Sequence, residues 1–168
     1  FLNMSIQIVK LCEWDCPHYD NFGPSRSIKA SRINNIIKLK RYIKNNSKFI
    51  LITTINCLLQ RFQNIDTYTE RKIVANEDLV YSDFINYIEN IGYEKVDNVI
   101  EVGTYANRGG IIDIFSSNYN YPIRLDFFGD NIETIRYFDY QSQKTIKSVN
   151  SISLFPFSEI FFFEDNIN

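Results

Sequence analysis

The residues best suited to chemistry in this sequence lie in one stretch, Tyr121–Asp130. Side chains alternate along a β-strand, so a strand here has two different faces. One face is apolar and consists of Ile123, Leu125 and Phe127. The opposite face carries a cation, an anion and an aromatic ring, namely Arg124, Asp126 and Phe128. Because arginine and aromatic side chains dominate the energetics of protein–protein interfaces, the second face is a candidate protein-binding surface. The alternative is a surface ion pair between Arg124 and Asp126, with Phe128 covered by a loop.

A second arginine, Arg108, comes just before the turn at Gly109–Gly110 and leads into the neighbouring strand. It is therefore a candidate for the same patch. A β-bulge at the two glycines would re-aim its side chain, so the sequence leaves its direction open.

The metal-ligating residues give weaker patterns. The spacing of Cys12, Cys16 and His18 superficially suggests a metal site, but zinc normally takes four ligands with recurring pair spacing. Three aspartates could in principle hold a divalent ion, but turn and strand-face positions explain them more simply. They are Asp113, Asp126 and Asp130. We expect no metal.

Catalytic motifs give no support for an enzyme. The six glycines form neither a Walker A loop nor a G-x-G-x-x-G turn, and no serine lies in a G-x-S-x-G elbow. A hydrolase triad has no strong candidate either, because His18 is the only histidine. We expect neither catalytic residues nor a cofactor or nucleotide site.

Composition narrows the class of protein. The chain has 168 residues, 18 Lys+Arg against 20 Asp+Glu, and a net charge of −2, which argues against a surface built to hold phosphate backbones. With 45% hydrophobic residues it can bury a core. No apolar run approaches the ~18–20 residues of a membrane span, so we expect a cytoplasmic protein. The chain opens with Phe1, so either Met4 starts it or it is a piece of a longer protein.

The first third predicts a strand, a helix and a second strand. Ile6–Leu11 is short and apolar, as in a buried strand. Residues 12 to 27 form a loop, after which Ser27 caps a helix from Ile28 to about Asn45. Phe49–Thr54 is a continuous apolar run, typical of a parallel strand covered on both faces, and a short helix from Cys57 follows.

The remainder predicts an α+β domain with an antiparallel sheet. Helical spacing over Asp83–Ile91 indicates one helix, which Gly92 ends. Short apolar stretches separated by turn residues indicate strands around it. These strands are Tyr68–Val74, Ile111–Phe115, Tyr121–Phe128, Ile132–Phe138, Thr145–Val149 and Ser151–Pro156. An aromatic run, Phe161–Phe163, follows in an acidic tail.

Three motifs follow one another in the second half of the chain. They are Gly92–Asp97, Gly103–Phe115 and Tyr121–Glu133. Their order and spacing resemble the UvrB-like module of bacterial transcription-repair coupling factors. Upstream, four further pieces resemble the end of that family's first domain, namely Glu13–Asp20, Ser25, Arg32 and Thr53–Arg61. The motif series also occurs in UvrB, the excinuclease B subunit. However, the short segment Tyr19–Pro24 leaves no room for UvrB's DNA-inserting hairpin, which favours the coupling factors.

The resemblance implies a division of the chain. Residues 1–63 would be a truncated RecA-like βαβ piece, 64–157 an α+β domain that interacts with UvrA, and 158–168 the start of a missing segment. In the family, two arginines and a phenylalanine contact UvrA, the damage-recognition ATPase. The matching positions here are Arg108, Arg124 and Phe128.

The implied function is a protein-interaction module that docks UvrA in nucleotide-excision repair. It would reach DNA only indirectly, would lack motor and polymerase-binding domains, and could have a separately encoded remainder as a further partner. The alternatives are a non-functional gene remnant and a UvrB-type DNA-binding protein.

Overall fold

The computed structural model describes residues 6–16 and 23–159. The described strands are β1 (Gln7–Leu11), β2 (Phe49–Thr53), β3 (Arg71–Val74), β4 (Glu94–Lys95), β5 (Thr104–Arg108), β6 (Ile111–Ile114), β7 (Ile123–Phe128), β8 (Asn131–Phe138), β9 (Thr145–Val149) and β10 (Ser151–Leu154). The helices are α1 (Arg26–Lys44), α2 (Ile55–Leu59) and α3 (Tyr81–Asn90), with a short 3-10 helix at Ile65–Thr67. His18, part of the predicted loop, and the aromatic tail lie outside the described residues.

The first segment is a β–α–β unit. Strands β1 and β2 pair in parallel, and α1 connects them, as the sequence predicts. Helix α1 begins two residues earlier than predicted, because Ser25 rather than Ser27 is its N-cap. The Ser25 hydroxyl accepts a hydrogen bond from the amide of Ile28 at 3.4 Å. Helix α2 likewise begins at Ile55 instead of Cys57.

The exposure of β2 contradicts one prediction. The sequence predicts that this apolar run is covered on both faces, but Ile50 is 48% exposed, Leu51 38% and Ile52 49%. Two features of the described part explain this: α1 packs on β1, and the sheet has only two strands. The apolar run therefore forms a strand without being enclosed.

The larger part of the molecule is an α+β unit, as predicted. Its six strands lie in the order β4–β5–β6–β7–β8–β9, and all neighbours are antiparallel except β4 and β5. Helix α3 packs its fully buried Phe84 and Ile88 into the main core, which Ile123 and Leu125 of β7 share. Strands β3 and β10 form a separate antiparallel pair beside it. Strands β4 and β5 are missing from the sequence prediction.

None of the helices in the described part combines the length and the hydropathy that a bilayer-spanning segment needs.

Candidate protein-binding surface

The six-stranded sheet has an outer face, opposite the one that carries the α3 core, and the three predicted contact residues lie on it. Strand register aligns Ala106, Asp113, Arg124 and Arg136 across four strands of this face. Arg108 stands two residues beyond Ala106 on β5. The strand spacings place the three predicted residues within a region roughly 15 Å across.

Phe128 is the exposed aromatic residue of this face. Its side chain is 76% exposed, whereas its neighbour Phe127 is 8% exposed and belongs to the core. Alternation along β7 separates the two rings, as the sequence predicts. Gly129, at a left-handed φ of 62°, turns the chain directly after Phe128. The alternative in which a loop covers Phe128 is therefore wrong.

Arg124 is held by a carboxylate on the adjacent strand. Its Nε donates to Asp113 Oδ1 and its Nη2 to Asp113 Oδ2, both at 2.7 Å. The side chain of Asp113 is only 8% exposed, and this hydrogen-bonded carboxylate raises the pKa of Arg124. The alternative pairing of Arg124 with Asp126 is wrong, because Asp113 lies directly opposite Arg124 in the β6–β7 register.

Asp126 has a different partner. It accepts a hydrogen bond from Arg136 Nη2 at 2.5 Å and another from the hydroxyl of Thr134. The outer face thus carries two ion pairs, Arg124 with Asp113 and Arg136 with Asp126, and its arginines, with Arg108, outnumber the two aspartates. A surface of this kind suits a partner that offers acceptor oxygens.

The three aspartates considered as a metal site do not form one. Asp113 and Asp126 are each paired with an arginine, and Asp130 Oδ1 accepts from the amide of Tyr81 at 3.0 Å. Over residues 6–16 and 23–159, no three His, Cys, Asp or Glu side chains are grouped to hold an ion.

Arg108 is anchored by the loop after β4. Its Nη2 donates to Asn98 Oδ1 at 2.6 Å and to the carbonyl of Asp97. The irregularity in this region lies between Asp126 and Phe127, in the β7–β8 register, and not at Gly109–Gly110. The β5–β6 register is continuous up to Arg108, which pairs with Ile111, so the side chain keeps the outer direction.

Sequence reasoning missed the residues that surround Arg124. Phe138 lies beneath the guanidinium, 4.4 Å from Cζ to the ring centroid, and Gln143 accepts from Nη2 at 3.0 Å. Alternation along Ile111–Phe115 could have placed Asp113 on the polar face. Its pairing with Arg124, however, depends on a register that the connecting loop conceals.

Comparison with known proteins identifies the family of this chain. The family model described as "UvrB interaction domain" matches residues 60–160. The transcription-repair-coupling factor of Escherichia coli is 32% identical over 154 residues, which cover 90% of this chain and 13% of that protein. Its namesake from Haemophilus influenzae is 33% identical over 88% of this chain and 13% of its own length. The Myxococcus xanthus protein is 37% identical over 53% of this chain and 7% of its own length.

The chain thus spans about an eighth of the length of the first two relatives. The family match includes β5, β6 and β7, the strands that carry the three predicted contact residues. The chain belongs to the UvrB interaction domain family and is a relative of the transcription-repair coupling factors.

Proposed function

We propose that this chain is the UvrA-docking module of a transcription-repair coupling factor and acts in nucleotide-excision repair. The contacts are made by Arg108, Arg124 and Phe128. The observation that carries the proposal is the Phe128 ring, which is 76% exposed at the end of β7 and shares its face with arginines. An aromatic anchor of this kind releases its hydration when it enters an apolar pocket of a partner.

The arginines orient the partner through directional hydrogen bonds, whereas Phe128 contributes apolar contact area. A guanidinium held in place loses little freedom on binding, and its hydrogen bonds to a partner's acceptor oxygens are charge-assisted. The module works by binding, without catalysis, and it reaches DNA through UvrA. In this proposal residues 64–157 are the interaction domain, and residues 1–63 are part of a RecA-like unit to which β1, α1 and β2 belong.

Calorimetric titration against UvrA from the same organism tests the proposal. Removing one anchor of an interface costs about 2 kcal/mol, so Phe128→Ala and Arg124→Ala are each expected to weaken binding roughly 30-fold. One matched control is Tyr121→Ala, which removes an aromatic residue that is 45% exposed and precedes β7. The other is Arg41→Ala, which removes an exposed arginine of α1 that pairs with Glu70. Both controls are expected to bind like the wild type.

Wild-type affinity in both the Phe128 and the Arg124 variant would refute this site. Equal losses in the control variants would show that the measured effect is not specific to the outer face.

A gene remnant is the second candidate, and one observation favours it. The first segment exposes apolar side chains on α2, with Ile55 at 74% exposed, Leu58 at 66% and Leu59 at 78%. Patches of this kind favour aggregation. A chain that aggregates or is quickly degraded and does not bind UvrA would support this candidate, and saturable binding of UvrA would contradict it.

A further inference from the structure

We propose that Gln143 is a positioning residue that holds the Arg124 guanidinium in its binding orientation for UvrA. The inference rests on the proposed function. Gln143 belongs to the turn between β8 and β9, outside the strands that carry the three contact residues.

The hydrogen bonds of Arg124 define what Gln143 contributes. Asp113 takes one hydrogen from Nε and one from Nη2, and the Gln143 side-chain oxygen accepts from Nη2 at 3.0 Å. The ring of Phe138 supports the guanidinium plane from below. Among the described residues Nη1 makes no hydrogen bond, so it is the donor left for a partner.

Gln143 is itself fixed by its turn. Its amide nitrogen donates to the carbonyl of Asp139 at 2.8 Å, and its side-chain Nε2 donates to the carbonyl of Tyr140 at 2.9 Å. Asp139 Oδ1 in turn accepts from the amide of Ser142 at 2.7 Å. The side-chain amide of Gln143 therefore connects the turn backbone to Arg124 and restricts its movement.

The backbone of Gln143 indicates a role beyond making the turn. Its φ is 58°, in the left-handed region that glycine and asparagine occupy more easily than glutamine. If the turn were its only task, glycine would serve better there. A strained backbone conformation at an exposed position is expected where the side chain has a function that glycine could not provide.

This strain allows stability and positioning to be separated by mutation. Gln143→Gly removes the amide but relaxes the backbone, so its melting temperature should equal or exceed that of the wild type. We expect it to bind UvrA about tenfold more weakly, the equivalent of one hydrogen bond to a charged group. Gln143→Glu loses the Nε2 donor to the Tyr140 carbonyl but keeps an acceptor for Arg124 Nη2. It should bind within about threefold of the wild type, since an acceptor that carries a charge is at least as strong. Gln141→Ala, in the same exposed turn, is the matched control.

A second readout does not need UvrA. Nuclear magnetic resonance of the arginine side chains reports the rate of rotation about the Cζ–Nε bond of Arg124. This rate should rise about tenfold in Gln143→Gly and stay unchanged in Gln143→Glu and Gln141→Ala, because only the first variant loses the acceptor.

The possible results distinguish a failure of this inference from a failure of the proposed function. Unchanged rotation and unchanged affinity in Gln143→Gly would overturn it, and so would a loss of affinity that follows a loss of stability. If the wild type itself does not bind UvrA, the proposed function fails. Faster rotation in Gln143→Gly would still support the hold of Gln143 on Arg124, and unchanged rotation would overturn it.

Discussion

At the scale of single residues, Arg124 and Phe128 differ in how much they already do for the fold. Arg124 neutralises Asp113, whose side chain is 8% exposed, so removing Arg124 leaves a nearly buried carboxylate without its cation. Phe128 is 76% exposed and contributes little to the core. A variant at Phe128 therefore tests binding with less interference from stability than a variant at Arg124.

The adjacent phenylalanines of β7 give a direct test of this assignment. Phe127→Ala is expected to lower the free energy of unfolding by about 3–5 kcal/mol, because it opens a cavity in the core. Phe128→Ala should change it by no more than about 0.5 kcal/mol, as surface substitutions usually do. Urea denaturation of the two variants measures both values. A large loss in Phe128→Ala would mean that the ring packs on the protein instead of facing a partner.

Residue types and alternation were enough to place Arg124, Asp126 and Phe128 on one face and to make Arg108 a candidate for the same patch, whereas the expectation that they contact UvrA came from the family resemblance. The ion pairs could not be predicted in the same way. Which carboxylate Arg124 binds depends on how β6 and β7 align, and the loop between them has no feature that fixes this register. The contact with Gln143 could not be predicted either, because Gln143 belongs to a turn that lies 19 residues from Arg124 in sequence.

At the scale of elements, the burial of β5 explains why this strand was not predicted from the sequence. Thr104, Tyr105 and Ala106 are all buried, Tyr105 in the main core and Ala106 in a small cluster with Val99 and Phe115 on the outer face. A strand covered on both faces has no alternation of polar and apolar residues. The antiparallel strands with one open face, such as β7, show that alternation and were predicted.

The turn between β5 and β6 depends on glycine at position 110. A Cβ added there would lie 2.6 Å from the carbonyl oxygen of Phe127, and the Gly110 carbonyl accepts from the Phe127 amide at 2.7 Å. Gly110→Ala is therefore expected to destabilise the protein by about 1–3 kcal/mol, as overpacking does, and to weaken UvrA binding through displacement of Phe128.

The neighbouring glycine provides the control for this prediction. Gly109 has a φ of 60°, which asparagine adopts more easily than most residues, and a Cβ added there would meet nothing within 4 Å. Gly109→Asn should therefore destabilise the protein less than Gly110→Ala does. Thermal unfolding compares the stability of the two variants, and calorimetric titration compares their affinity for UvrA. Equal stability of Gly110→Ala and the wild type would show that Gly110 does not approach the Phe127 carbonyl of β7 this closely.

At the scale of the whole molecule, a buried ion pair joins the first segment to the end of the described chain. Arg32 on α1 is fully buried, and its Nη2 donates to Glu159 Oε2 at 2.8 Å. Trp14 Nε1 also donates to Glu159, at 3.2 Å, and the Tyr68 hydroxyl donates to its carbonyl at 3.1 Å. No sequence pattern predicts this pair, because 127 residues separate its partners.

Removing the carboxylate should be costly. Glu159→Ala is expected to reduce the free energy of unfolding by about 3–5 kcal/mol, because it leaves the buried Arg32 charge unpaired. Glu70→Ala, which breaks the exposed pair with Arg41, should cost no more than about 1 kcal/mol. Chemical denaturation compares the two, and similar small losses would contradict the structural importance of Glu159.

Alkaline pH should also destabilise the whole molecule. Burial raises the pKa of Tyr68 and of Tyr137 from 10.0 to about 12. Both phenols then ionise more easily in the unfolded chain. Their contribution to the free energy of unfolding is therefore fully present below pH 10 and is lost as the pH rises towards 12. Urea midpoints measured between pH 8 and pH 12 should decline in that window, and less steeply in Tyr68→Phe. A flat profile would show that these rings are not held away from water.

The most direct test of the central claim is a calorimetric titration of the chain against UvrA from the same organism, in parallel with the double variant Arg124→Ala, Phe128→Ala. We predict saturable binding by the wild type and none by the double variant at the same concentrations, with circular dichroism verifying that both are folded. Equal binding by the two proteins would contradict the site. A folded wild-type chain that does not bind would contradict the proposed function.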